Sequence, residues 1–119
     1  MELSGKVKVL KIYAGDSDRF EGTAIYEATV REARNLGLAG ATVYRGIMSF
    51  GASHSIHTIR NFALSSDLPI VIEIVDEEAK IENFIPVVNE LLNKSKKGGM
   101  VLTHDVDVRR YEKGEKYKK

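Results

Sequence analysis

Apolar residues along the chain fall into four extended runs and two helical stripes. Lys6-Val7-Lys8-Val9-Leu10-Lys11-Ile12-Tyr13 opens with basic and apolar positions in alternation, which predicts a strand. Ala14 to Gly22 is polar and reads as a loop. Thr23 is a candidate N-cap for a helix carrying Ile25, Ala28, Thr29, Ala33 and Leu36 at helical spacing, with Gly37 as its left-handed stop. Ala41 to Ser49 predicts a second strand. Leu68-Pro69-Ile70-Val71-Ile72-Glu73-Ile74-Val75 is nearly all apolar, as a central strand should be, and Pro69 can open it. Asp76 can cap a second helix whose stripe is Ile81, Phe84, Ile85, Val88, Leu91 and Leu92. That stripe runs through Pro86, which lies off it, so one kinked helix is expected. Lys94 to Gly99 reads as a turn. Met100–Thr103 and Asp105–Tyr111 complete one or two strands, and 112–119 is expected to be a frayed basic tail.

The order β-α-β, long connection, β-α-β predicts a single α+β domain over 1–119, a ferredoxin-like βαββαβ sandwich with a short extra C-terminal strand. Two helices cover one sheet face. The other is uncovered in a single chain, yet Ile70 to Val75 is apolar on both faces, which predicts an oligomer with sheets packed together.

Composition narrows the function classes. The 119 residues carry 18 Lys plus Arg against 17 Asp plus Glu, a net charge of +1, so nucleic acid is not expected as a partner. With no cysteine there is no thiol catalysis, disulfide or thiolate metal site. No apolar run approaches the ~20 residues of a membrane span, and Met1 to Gly5 lacks the features of a secretory signal, so a cytoplasmic location is expected.

Phe50 to Asp67 is rich in Gly, Ser, His and Thr and is longer than a compact domain ordinarily allows a connection to be; Ile56–Leu64 could form a helical piece within it. Its His54, His57 and Arg60 suit a ligand-binding or partner-binding arm. His54-Ser55-Ile56-His57 lacks the Glu and the helix of a zinc-protease motif, so no metal is expected. Lys96-Lys97-Gly98-Gly99 could cradle a phosphate through backbone N–H groups, or could simply end a helix. Glu73 could be a raised-pKa base or the partner of a basic side chain. Arg109 and Arg110 would point to opposite faces of the last strand, one toward a phosphate, and Arg45 is ambiguous. Neither a carboxylate pair nor a nucleophile elbow stands out, so no enzyme is expected.

Tyr44-Arg45-Gly46-Ile47-Met48-Ser49-Phe50-Gly51, then Ile56-His57, then Leu64 to Asp76 together resemble the PII-like family catalogued as domain of unknown function 190, itself similar to the nitrogen-regulatory PII proteins. The resemblance covers residues 6 to about 111. It implies a homotrimer that binds an adenine nucleotide in clefts between subunits and signals through a long loop, here 50–67, to a protein or membrane-transporter partner. The residues it assigns to the nucleotide are Thr42, Ser49, Phe50, Gly51, Val75, Gly98, Gly99, Arg109 and Arg110, with His54, His57 and Arg60 on the signalling loop. The PII turn reads Gly-Asp-Gly-Lys where this chain has Lys97-Gly98-Gly99-Met100, which favours AMP or ADP over ATP. The alternative is a trimeric metal-ion-binding protein of similar fold that uses the loop histidines.

Overall fold

The computed structural model describes residues 3–51, 57–58 and 68–117, with only the backbone described at 57–58. Strand β1 (Gly5–Gly15) leads into two very short strands, β2 (Arg19–Phe20) and β3 (Thr23–Ala24), and then helix α1 (Ile25–Asn35). Strands β4 (Gly40–Arg45), β5 (Met48–Ser49), β6 (His57–Thr58) and β7 (Pro69–Asp76) follow, then helix α2 (Glu78–Ser95) and strand β8 (Met100–Val108). The main sheet has the order β4-β7-β1-β8, antiparallel at every junction, which is the ferredoxin-like arrangement.

The core follows from strand periodicity. Ile70, Ile72 and Ile74 of β7 and Leu10 and Ile12 of β1 share one face and are buried against Ala33 of α1 and Ile81, Phe84 and Val88 of α2. Both helices therefore lie on that face. The opposite face carries Thr42 and Tyr44 of β4, Val71, Glu73 and Val75 of β7, Val7, Val9, Lys11 and Tyr13 of β1, and Leu102, His104 and Val106 of β8. Val7, Val9 and Val71 are buried there although they stand outside the helix-side core cluster.

Several boundaries differ from the expected ones, each for a tertiary reason. Thr23 does not cap α1. It pairs with Phe20 in the β2–β3 turn, where Glu21 and Gly22 both take positive φ, and Ala24 stands at the N-cap with no side-chain bond. The strand expected over Ala41–Ser49 breaks after Arg45: the Gly46 N–H donates to the Pro69 carbonyl, and a Cβ at Gly46 would lie 2.9 Å from the Pro69 ring. Within the segment expected to be helical, His57–Thr58 is extended and pairs with Met48–Ser49. The two candidate C-terminal strands are one unbroken strand ending at Val108, and no further strand follows it among the described residues. Arg109 and Arg110 thus lie beyond β8 rather than alternating within it. Helix α2 is continuous through the exposed Pro86. The tail expected to fray contains a 3-10 turn at Glu115–Tyr117.

Candidate functional site

The sequence-predicted ligand residues occupy two ends of the sheet. At one end, Gly40 of β4 faces Val75 of β7, and Thr42 lies two residues further along the same edge strand. The segment entering β4 is held by Asp76, whose side chain is fully buried. Its Oδ2 accepts the Ala39 N–H at 2.9 Å and its Oδ1 accepts the Glu77 N–H at 2.7 Å. The Lys80 ammonium stands 4.0 Å from the same Oδ2. Asp76 was expected to cap α2. It stands one residue before the cap and joins the start of the helix to a loop 37 residues away.

At the other end lie Gly98 and Gly99. Lys96, rather than a glycine, takes the left-handed position that closes α2. Ser95 Oγ donates to the Leu92 carbonyl at 2.7 Å and accepts the Lys97 N–H at 3.2 Å. Gly99 is where it is because there is no room for a side chain: a Cβ would meet the Tyr13 carbonyl at 3.0 Å and the Leu92 methyls. Gly98 opens onto free space. Beside them is an open cleft of about 420 Å³ lined by Asn89, Asn93, Lys96, Lys97 and Gly99 over Leu92 and Val101. Two ammonium groups and two amides suit an anionic group there.

Ser49 pairs with His57 at the base of the long loop, and Ile47, Met48 and Phe50 beside it are all exposed. His54 and Arg60 lie outside the described residues, as does the His57 side chain. Arg110 pairs with Glu112. Arg45 pairs with Asp16 at 3.3 Å; the backbone N–H and a carboxylate oxygen of Asp16 also bond Leu68, so both ends of the loop are fastened to the end of β1.

These placements do not form one pocket. The eight steps from Met100 to Val108 span about 26 Å along the strand, and β4 and β8, the outer strands, stand about 14 Å apart. The register sets Thr42 level with Leu102 and Val75 level with His104, about 7 and 13 Å along the strands from Met100 and about 14 and 10 Å across from β8, whereas Arg109 and Arg110 lie beyond its far end. Ser49, Phe50 and Gly51 share the glycines' end of the sheet but leave from the opposite edge.

Between the two ends, the open face carries one polar cluster. The Tyr44 O–H donates to Glu73 Oε1 at 2.8 Å, and the Lys11 ammonium stands 3.7 Å from the same oxygen. Glu73 is therefore paired, which is the second of the roles open to it from sequence. The bond to Glu73 holds the Tyr44 phenol above its ordinary range, with desolvation adding in the same direction. Because the folded value is the higher one, this contribution to stability is complete below about pH 10 and is lost as pH rises through the folded value. Followed by phenolate absorbance, one tyrosine of the five should ionise after the rest. Tyr44→Phe should abolish that late step and Glu73→Gln should move it to lower pH. A late step that survives Tyr44→Phe would place the effect elsewhere.

Among the described residues, no cluster of three or more His, Asp or Glu side chains is placed to hold a metal ion, and no helix is long and apolar enough to cross a membrane. His104, on the open face, is exposed.

Comparison with known proteins supplies the family. The model of DUF190, described as an uncharacterised ACR, matches residues 7–108. A UPF0166 protein of Aquifex aeolicus is 38% identical over 103 residues, covering 87% of this chain and 93% of the relative. A UPF0166 protein of Methanocaldococcus jannaschii is 37% identical over 112 residues, covering 94% and 97%. Among solved structures, the nitrogen regulatory PII-like protein CPII of Thiomonas intermedia K12, bound to ADP, AMP and bicarbonate, superposes with a TM-score of 0.61 at 19% identity, over 88% of this chain and 90% of that one. A protein of Thermus thermophilus described as PII-like in signalling gives 0.57 at 16% identity, over 90% and 93%. At these identities the structural likeness establishes a shared fold.

Proposed function

The chain belongs to the DUF190 family and has a PII-like fold, and from that premise we propose that it is a non-enzymatic signalling protein that binds an adenine nucleotide, AMP or ADP in preference to ATP, in clefts between the subunits of a trimer. The base lies near Thr42 and Val75, and the phosphate meets the N–H groups at Gly98 and Gly99 with Lys96 or Lys97 beside them. Binding changes the loop over 50–67 and so its fit to a protein partner, which requires the nucleotide to favour one loop state over another. It acts in the cytoplasm.

The observation that carries this reading is the separation of the two ends. Through the strand register, Thr42 and Val75 each stand about 16 Å from the glycine end of β8, on other strands of the sheet, so one nucleotide meets both groups only if different copies supply them. The open face, where Tyr44 is exposed and Tyr13, Val75, Leu102 and Val106 are half-buried in the single chain, is the surface on which copies would join. The preference for fewer phosphates rests on charge: Arg110 is engaged with Glu112, and the glycine turn is followed by Met100 rather than a lysine.

The test is calorimetry of nucleotide-free protein with AMP, ADP and ATP, alongside its mass in solution. The expected results are a species of about 40 kDa, three times the 13.3 kDa chain, and micromolar binding of AMP or ADP with ATP about ten-fold weaker. Gly98→Glu should weaken binding at least about ten-fold by setting a carboxylate against the phosphate. Its melting temperature should not change, because nothing stands within 4 Å of that position. Gly99 is unsuited to this test, since any side chain there collides with the Tyr13 carbonyl. A trimer that binds none of the three would overturn the nucleotide reading and leave the fold intact.

A further inference from the structure

Resting on that reading of the Thr42–Val75 end as the adenine side, we infer that the C-terminal segment is a latch across it: Tyr111 holds the backbone carbonyl of Ala39, and the tail competes with the adenine base for that acceptor.

Three observations converge on Ala39. Strand β8, from which the tail departs, is one edge of the sheet, and β4, which Ala39 precedes, is the other. The Tyr111 O–H nevertheless donates to the Ala39 carbonyl oxygen at 2.6 Å, 72 residues away in sequence. Ala39, one residue before Gly40, is level with Asp105, so reaching it from Val108 takes about 14 Å across the sheet and about 10 Å back along it, about 17 Å in all, whereas three extended residues reach only about 10 Å. Arg109 to Tyr111 must therefore run extended and diagonally back over the sheet, with the tyrosine side chain closing the remaining gap. The catch itself is rigid, because Ala39 is pinned through its N–H to the buried Asp76. Beyond Tyr111 the tail folds back on itself: the Tyr117 N–H donates to the Gly114 carbonyl, and the Lys116 ammonium lies 4.9 Å above the Tyr117 ring.

The chemistry of competition is direct. An adenine exocyclic amine is a donor without charge, and a backbone carbonyl is its natural acceptor. Ala39 is the residue before Gly40, which faces Val75. Its carbonyl is thus the backbone acceptor at the mouth of the adenine side, and the phenol occupies it when no ligand is present. A base entering there releases Tyr111, so ligand occupancy is reported at the C-terminus as well as at the loop.

The test compares wild type with Tyr111→Phe, which removes only the hydroxyl, using two readouts. One is the rate of tryptic cleavage in the tail, at Arg110 and Lys113, without ligand and with AMP. The other is calorimetric AMP affinity. Loss of one hydrogen bond should make Tyr111→Phe about five-fold faster to cleave without ligand and about five-fold tighter for AMP. AMP should speed cleavage of the wild-type tail and leave that of the variant unchanged. Equal cleavage of the two ligand-free chains overturns the latch whatever AMP does. Faster cleavage with equal or weaker AMP binding keeps the tail contact and overturns competition. If neither chain binds AMP, the nucleotide reading itself fails, and competition with it, while the cleavage rates still decide the tail contact.

Discussion

Replacing Asp76 with alanine should lower the melting temperature by roughly 10 °C and weaken adenine-nucleotide binding in the protein that remains folded. Asp76 is fully buried, and its two carboxylate oxygens serve the N–H groups of Ala39 and Glu77. Removing it leaves two partly buried donors without that acceptor, at about 1–3 kcal/mol each, partly offset by water entering the gap. A net loss of about 3 kcal/mol in a chain of this size corresponds to that shift in melting. The Asn variant separates charge from shape. Its amide oxygen can still accept one N–H, but its NH2 then faces the other donor, so Asp76→Asn should fall between wild type and Asp76→Ala. The binding effect follows from place: Asp76 fixes Ala39, and Ala39 leads into Gly40 and Thr42. Scanning calorimetry and AMP titration of both variants check this. An Ala variant that melts within about 2 °C of wild type would mean the two N–H groups find other partners.

Asp76 also shows where the sequence stops being informative. The sheet and the two helices are legible because their signals are local: the apolar positions of β7 and α2 repeat at the periods of their own backbones. Asp76 reads naturally as a helix cap from its neighbours alone. Its larger role, holding Ala39, is a contact across 37 residues and has no local signature. Tyr111 likewise reads as the end of a strand, and its bond spans 72 residues. The same cause lies behind the misplaced boundaries. Gly46 interrupts an otherwise good strand pattern because Pro69 packs over it, and Gly99 serves a close approach to Tyr13 while Lys96 takes the left-handed position. For the candidate site, residue types were readable from the resemblance. Their separation at two ends of the sheet needed the strand register.

That separation makes the assembly the most consequential thing to perturb, and Val9→Lys the sharpest perturbation. Val9 lies at the middle of the open face, between Val75 on one neighbouring strand and His104 on the other, and it stands outside the helix-side core cluster. An ammonium there would be set into the joining surface, two residues from Lys11 on the same strand and face, while the nearest carboxylate on that face, Glu73, is already engaged by Tyr44 and Lys11. Each copy in a trimer would carry that cost, several kcal/mol per unpaired charge; Val9 is already buried in the single chain, so a separated chain would carry part of it too, less what the lysine recovers by reaching its ammonium out to water. The expected result is a shift of the solution mass from about 40 kDa to the 13.3 kDa of one chain, with the circular dichroism of a folded protein. AMP affinity should fall with it by about 100-fold or more, since the Thr42–Val75 group of one chain can no longer be completed by the Gly98–Gly99 turn of another. Val9→Thr, which keeps the shape and adds only a hydroxyl, should dissociate the assembly partly and weaken AMP in proportion to the trimer lost. Proportionality is the discriminating feature. If Val9→Lys is a folded monomer with undiminished AMP affinity, the nucleotide site is complete within one chain, and the cleft lined by Asn89, Asn93, Lys96 and Lys97 becomes the place to look for it.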